Sequence, residues 1–416
     1  MDITTLYQLY KSHPCITTDS RNCPKGSIFL ALRGASFDGN LFAGEALRKG
    51  CSYAIVEETE ATRGNASLIP VADTLQTFKD LAREHRRQFD IPVIAITGTN
   101  GKTTTKELVA AVLREKYNVM ATEGNYNNDV GVPKTLFRLK PVHEIAVIEM
   151  GASHPGDIKT LVETVEPNVG RAHLEGFGSF EGVKKTKGEL YDFLSAHDQT
   201  VFLNTHDEDL SAMARQCNVS RCIPYEEGHA VCSDPFLTFE WEGHHVNTHL
   251  IGSYNLPNVL AAATAGRHFG VSDERIVHAL ETYTPTNSRS QFMRTPHNSL
   301  IVDAYNANPT SMRIALESFA DMEADNKMAI LGDMRELGAS SHEEHQKIVD
   351  YIETRHDSLG EVWLVGEEFG KARTTLPHFA TTAAVTNALA DRKPQGRTIL
   401  IKGSNGTHLY QLPEKL

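Results

Sequence analysis

The chain has 416 residues, 40% of them hydrophobic and 23% charged, a length and composition that suit a soluble protein of two to four domains. A formal net charge of −12 excludes a broad nucleic-acid surface, which needs clustered Lys and Arg, but leaves room for a locally basic pocket around an anionic substrate. No apolar run approaches the roughly 18 residues that span a bilayer, so no membrane span is expected.

The chain falls into three blocks of different rhythm. In the first, expected over residues 1–84, segments 27–32 and 53–56 read as strands and 41–48 as a helix. Residues 67–71 read as a further strand after a polar loop at 57–65, and a helix over 75–88 leads out. The second block, expected over residues 85–294, opens with the apolar run 92–97, which ends in Gly98-Thr99-Asn100-Gly101-Lys102-Thr103-Thr104. Leu108, Val109, Val112 and Leu113 then recur at helical spacing, so the order is strand, glycine loop, helix. A second buried strand over 144–150 ends in Glu149-Met150-Gly151. The third block, residues 295–416, alternates strands at 299–303, 327–332, 361–365 and 398–402 with helices at 311–322, 342–351 and 382–390. Such alternation implies a parallel sheet with crossover helices. No G-x-G-x-x-G follows a strand there, so no dinucleotide site is expected.

The loop at 98–104 carries the sharpest local chemistry. Glycines let successive N–H groups face a polyphosphate, and the helix N-terminus adds positive potential. Lys102 can neutralise phosphate oxygens, and the Thr103 hydroxyl can ligate Mg²⁺. Glu149 closes an apolar strand, and a buried carboxylate needs a partner, either a metal ion or a basic side chain. His173, taken alone, reads first as a hydrogen-bonded loop residue and second as a metal ligand. Lys184, Lys185 and Lys187 read as a solvated face or as site residues. Asn125, Asn127 and Asn128 suit turns, and could equally contact sugar or peptide groups. The string from Asp303 to Pro309, with Tyr305 and Asn306, sets polar groups at a strand's carboxyl end, where α/β sheets bind ligands.

Cys15, Cys23, Cys51, Cys217, Cys222 and Cys232 form no C-x-x-C pair and no zinc spacing with histidine, so reduced thiols are expected. Residues 1–11 carry Asp2 and lack a basic segment followed by an apolar one, which predicts no signal peptide and a cytoplasmic location.

Taken in order, these strings resemble the Mur ligase family. The resemblance runs through Thr18-Asp19-Ser20-Arg21, the loop at 98–104, residues 124–133, Glu149-Met150-Gly151 and residues 172–179. It continues through Lys187-Gly188-Glu189, residues 255–258, Arg289-Ser290-Gln291, the string 303–309, residues 331–338 and Lys402-Gly403-Ser404. It implies an α/β chain of three domains: a small α/β substrate domain, a central P-loop ATPase domain with a mostly parallel sheet, and a C-terminal Rossmann-like domain. It also implies an ATP- and Mg²⁺-dependent amide ligase acting through an acyl phosphate, and the sharpest part of the resemblance is the Asp-Ala-Tyr-Asn-Ala-Asn-Pro string at 303–309. That string points to the branch that joins D-alanyl-D-alanine to UDP-N-acetylmuramoyl-tripeptide, and a monomer is expected.

By resemblance, Lys102 and Thr103 hold ATP and a first Mg²⁺, with Glu149 as a further ligand. His173 is a ligand of a second Mg²⁺, and Lys187 matches a lysine that the family carbamylates. Asn258 matches an adenine reader, and Arg289 and Asp303 match phosphate and ribose contacts. Asp19, Ser20 and Arg21 match the region that holds the uridine end. Asn125, Asn127, Asn128, Tyr305, Asn306 and Lys402 fall in strings expected to contact substrate. One departure stands out: Glu166-Pro167 runs straight into Asn168-Val169-Gly170, where the family carries a short apolar strand. About half a dozen residues are missing there, so either a neighbouring segment fills the gap before His173 or the central sheet is damaged. The alternatives this leaves are another Mur-type or folylpolyglutamate-type ligase, and a catalytically impaired nucleotide-binding homologue.

Overall fold

The computed structural model describes residues 1–34, 36–58, 65–171, 181–286, 288–335 and 337–416, and the side chains of all these except residues 181–185. Its first unit comprises α1 (Ile3–Ser12), β1 (Ile16–Thr17), β2 (Ile28–Leu30), α2 (Ala43–Lys49), β3 (Tyr53–Glu57), β4 (Leu68–Val71) and α3 (Thr74–Arg86). The strands form a parallel sheet in the order β1-β2-β3-β4. Asp2 and Asp73 start α1 and α3 by accepting from Thr5 N and Gln76 N, as N-caps do. The boundary expected at residue 84 falls inside α3. That helix buries Phe78 and Leu81 in the first unit's core, while His85 joins Tyr7, at 2.9 Å, to the Leu139 carbonyl of the next unit.

The central unit begins with β5 (Val93–Ile96), α4 (Lys102–Arg114), β6 (Val119–Ala121), α5 (Gly131–Leu136), β7 (Ile145–Glu149) and α6 (Asp157–Val165). It continues through β8 (Val169–Arg171), α7 (Glu181–Ala196), β9 (Thr200–Leu203), α8 (Glu208–Gln216) and β10 (Arg221–Pro224). These strands are all parallel, in the order β10-β9-β8-β5-β7-β6. β5 and β7 are buried throughout, as central parallel strands with helices on both faces must be.

Of the two outcomes expected at the gap, the neighbouring segment fills it, and the expectation of a damaged sheet is corrected. β8 pairs with β5 at Ile94–Val169, Ala95–Gly170 and Ile96–Arg171, and with β9 on its other edge. The Asn168 side chain anchors its start by accepting from Val93 N at 3.1 Å. Three residues suffice because α7 packs closely on the strand: a Cβ on Gly170 would lie 2.4 Å from Leu194 Cδ1. The segment Asn168-Val169-Gly170-Arg171 thus enters the sheet itself.

An antiparallel sheet of β11 (His229–Ser233), β12 (Phe236–Trp241) and β13 (His244–Ile251) follows, then α9 (Leu256–His268) and α10 (Asp273–Thr282). Leu237, Phe239 and Trp241 alternate inward along β12 and share a core with α4 and α9. Ala261, Ala262, Ala265 and Gly266 let α9 approach α4 closely: a Cβ on Gly266 would meet Val112 at 2.6 Å.

The C-terminal unit holds β14 (Gln291–Arg294), β15 (Asn298–Asp303), α11 (Pro309–Asp321), β16 (Lys327–Gly332), α12 (Ser341–Thr354) and α13 (His356–Leu359). β17 (Glu361–Val365), β18 (His378–Phe379), α14 (Thr382–Asp391) and β19 (Arg397–Lys402) complete it. The sheet order is β14-β15-β19-β16-β17-β18, parallel except for β14. Because β14 pairs with β15, this unit begins before Gln291 rather than after Arg294.

Candidate active site

The glycine loop leaves β5 and enters α4 at Gly101, whose φ of 73° a side chain would strain. The first N–H groups of α4 lack helical partners and face the loop's concavity, an anion site by construction. The Lys102 ammonium folds over that concavity, donating to Gly98 O at 2.7 Å and Thr99 O at 3.1 Å. Beside it, the Thr103 hydroxyl donates to Glu149 Oε2 at 2.9 Å, and Asn127 Nδ2 donates to Oε1 at 2.8 Å. Glu149 is only 1% exposed, and among the described residues it is met by neutral donors rather than by an Arg or Lys. A hydroxyl and a carboxylate side by side at a phosphate loop form an all-oxygen donor set. That set fits Mg²⁺, which takes one or two protein ligands and completes its shell with phosphate and water. Among the described residues no group of three His, Cys, Asp or Glu could hold a metal unaided.

The C-terminal unit closes the loop's open side. Asp303, at the end of β15, pairs with Lys402, at the end of β19. It also accepts from Ser290 N at 3.3 Å. The Arg289 guanidinium lies 4.0 Å from the centre of the Tyr305 ring. Burial and the nearby Asp303 carboxylate push the Tyr254 hydroxyl's pKa up, and it hydrogen-bonds Ser290 at 2.9 Å. Together with Asn258, which is 3% exposed, these groups border a cavity of about 190 Å³ that the phosphate loop also lines.

The cavity brings together Thr99, Asn100, Gly101, Lys102, Thr104, Asn127, Glu149, Asn258, Arg289, Asp303, Tyr305, Asn306 and Lys402, all expected from the sequence. Gly98 and Thr103 belong to the same loop, through the Lys102 and Glu149 bonds. Lys187 is 3% exposed on α7; burial first, and the Lys102 charge second, push its ammonium pKa down to about 7. His173 lies outside the described residues.

Other expected contacts lie elsewhere. Asp19 lines a separate cleft of about 410 Å³ between the first and central units, with Lys134 and Arg138. Arg21 pairs with Asp19 at 2.9 Å, which holds that carboxyl down to about 2, and Ser20 offers its carbonyl to Lys49 at 3.0 Å. Asn128 serves its own turn, accepting from Val130 N and Gly131 N, and Asn125 is exposed. Tyr254, Ser290 and Asn308 border the cavity without having been singled out as site residues. A larger cleft of about 880 Å³ opens at the carboxyl ends of β16 and β17, around Asp333, Arg335 and Lys371.

Three family regions match in succession: the Mur ligase family catalytic domain over residues 14–86, the middle domain over 96–266, and the glutamate ligase domain over 288–405. The chain is 33% identical to the UDP-N-acetylmuramoyl-tripeptide--D-alanyl-D-alanine ligase of Escherichia coli strain K12, over 96% of this chain and 93% of that one. The chain belongs to the Mur ligase family. Solved Mur ligase structures agree over nearly the whole length. A MurF from Acinetobacter baumannii superposes with a TM-score of 0.84 at 29% identity, over 98% of this chain and 97% of that one. A Thermotoga maritima MurF in complex with ADP gives 0.84 at 25% identity, with 96% of each chain covered. The family matches therefore reach all four sheets, including the strand β8.

Proposed function

We propose that this chain is an ATP-dependent ligase that joins D-alanyl-D-alanine to UDP-N-acetylmuramoyl-tripeptide in peptidoglycan synthesis, releasing ADP and phosphate. The observation that carries the reading is the shared cavity, where the phosphate loop of the central unit meets Arg289, Asp303 and Lys402 at its junction with the C-terminal unit. The full-length similarity to D-alanyl-D-alanine ligases supports the same substrates.

A carboxylate is a poor electrophile until its oxygen carries phosphate. Its attack on the γ-phosphorus breaks the bond to the bridging oxygen, giving an acyl phosphate and ADP. The dipeptide's neutral amine then adds to the acyl carbon, and the tetrahedral intermediate expels phosphate as the amide forms. Enzymatic assistance here is mainly positioning and charge neutralisation. Lys102 and the α4 N-terminus bind the phosphates, and Arg289 lies where it can add a second cation. Thr103 and Glu149 would hold Mg²⁺, which would supply charge neutralisation to the phosphates. Asn258 contacts the base and Asp303 the ribose. His173 belongs to this reading as a ligand of a second ion.

Lys187 fits a carbamylated role. Its buried amine is held near the point where the uncharged form is abundant, and only that form adds to CO₂, releasing a proton. The product is an anion that can ligate metal where an ammonium would repel it. Asp19, Ser20 and Arg21 are assigned to the uridine end; of these Asp19 lines the cleft, which adds Lys134 and Arg138 for the diphosphate. The enzyme is expected to act as a monomer in the cytoplasm; among the described residues no helix is long and apolar enough to cross a membrane.

Phosphate release, measured with UDP-N-acetylmuramoyl-tripeptide, ATP and Mg²⁺, tests the assignment. D-alanyl-D-alanine should support turnover, and diaminopimelate, lysine and glutamate should not. Turnover with one of the latter, or ATP binding with no phosphate release from any combination, overturns it.

A further inference from the structure

Arg171 ends β8 with its guanidinium turned into the central unit, 2% exposed. Among the described residues no carboxylate pairs with it. It donates instead to the Thr105 hydroxyl and to the Tyr225 hydroxyl, and its Cζ lies 5.3 Å from the Tyr225 ring centre. A guanidinium has donors and no acceptor, so Thr105 Oγ1 must receive a hydrogen from Arg171. The one hydrogen of Thr105 then points onward, to Asn258 Oδ1 at 2.9 Å. Asn258 Nδ2 donates to Asn255 Oδ1 at 2.9 Å, and Asn255 Nδ2 donates to the Ile251 carbonyl at 2.9 Å.

Every bond in this series runs the same way, from a group that can only donate to a backbone carbonyl that can only accept. Asparagine amides flip readily because their two ends have similar shapes. Here a flip of Asn258 would set its oxygen against the Asn255 oxygen. Asn255 in turn cannot flip without opposing the Ile251 carbonyl. At the other end, Arg171 keeps the Thr105 hydrogen directed at Asn258. Without it the hydroxyl can turn back to the Gly101 carbonyl, which lies one helical turn earlier. One amide hydrogen of Asn258 is used on Asn255, and the second is left for the cavity that Asn258 lines.

From this we infer that Arg171 and Thr105 are positioning residues for nucleotide recognition, locking the Asn258 amide so that it offers an N–H donor, with its oxygen alongside, to the base. That pairing suits adenine, which presents the N7 acceptor beside the N6 donor, and mismatches guanine, whose edge presents two acceptors. The inference rests on the reading of the cavity as the ATP site. It also gives β8 a consequence, because the pairing of β8 with β5 sets Arg171 opposite Ile96.

The test compares ATP with 7-deaza-ATP, which lacks the N7 acceptor, in steady-state kinetics of the full-length enzyme. The wild type should show a KM several-fold higher for 7-deaza-ATP. Thr105→Val and Arg171→Met should raise the KM for ATP about tenfold, lower kcat far less, and lose most of the penalty against 7-deaza-ATP. Thr105→Ser, which restores the hydroxyl, should recover both ATP affinity and discrimination, a rescue that a packing role would not give. Should Thr105→Val keep the wild-type penalty, or Thr105→Ser behave like Thr105→Val, the positioning role is overturned even if Arg171→Met fails to fold. Asn258→Ala separates the layers. If it still discriminates 7-deaza-ATP, base reading by Asn258 fails. If it loses discrimination while the Thr105 variants retain it, only the positioning series fails.

Discussion

Asn308 of the C-terminal unit donates through Nδ2 to Asn100 Oδ1 of the phosphate loop at 2.8 Å. Its Oδ1 meanwhile accepts from Ser311 N at 2.8 Å and starts α11. One side chain thus begins a helix and links that helix to the residue ahead of Gly101. Asn308→Asp preserves the cap, and a carboxylate there even suits the helix dipole. It removes the donor to Asn100 and sets a negative charge beside the phosphates. The expected result is an unchanged melting temperature with a KM for ATP raised about three- to tenfold, the cost of about one hydrogen bond. Asn308→Ala should also lose about 1 kcal/mol of stability from the missing cap. An ATP KM equal to wild type in Asn308→Asp would show that the interdomain contact does not bear on nucleotide binding.

Lys102 donates to the Gly98 and Thr99 carbonyls of its own loop, at the cavity rather than in a hydrophobic core. Lys102→Ala should fold with a near-normal melting temperature yet lose about 10²- to 10³-fold in kcat or more, the scale of losing one preorganised stabilising group. Phosphate release and thermal melting on the same sample check both halves. A near-normal rate would remove the phosphate-loop argument.

The parts of this protein legible in its sequence are those with a local signature. Gly98, Gly101 and Lys102 sit between an apolar run and a helical repeat, so loop, strand and helix are readable together. The C-terminal alternation announces its parallel sheet in the same way. β8 was illegible because it offers Val169, a glycine and an arginine, with no apolar run, and exists only because β5 and β9 flank it. The β11–β13 sheet did carry a signal, the period-two spacing of Leu237, Phe239 and Trp241. Ser290 and Asn308 lay inside strings already quoted, 289–291 and 303–309, with nothing local to pick them out from their neighbours, and Tyr254 had no signal, since it joins the site only through long-range folding. Asn128 is the converse case, a polar residue whose Oδ1 accepts from its own turn, which leaves Nδ2 as the group it can offer a substrate.

Lys187→Ala should be inactive while folded, and formate or acetate should restore part of the activity by occupying the vacated space as a carboxylate. With ¹³C-bicarbonate, the wild type should give a carbamate carbon resonance that Lys187→Ala lacks. Full activity of the variant would mean that carbamylation plays no part. Inactivity without either rescue or the resonance would leave Lys187 a purely structural group.

Gly170 tests whether the short strand is as tightly fitted as its contacts imply. An added Cβ would lie 2.4 Å from Leu194 Cδ1 and 3.1 Å from Leu190 Cδ1, and both leucines are fully buried. They cannot swing into solvent, so β8 or α7 must shift. Gly170→Ala is expected to cost about 1–3 kcal/mol, the usual range for overpacking, read as a lower urea midpoint with an unchanged slope. Adding Leu194→Val removes the clashing methyl and should recover part of the loss, which a simple backbone effect of alanine would not allow. Because Arg171 follows directly, the displaced strand should also weaken ATP binding, and the second substitution should restore both properties together. Wild-type stability in Gly170→Ala would mean that α7 does not lie against β8 as closely as these distances require.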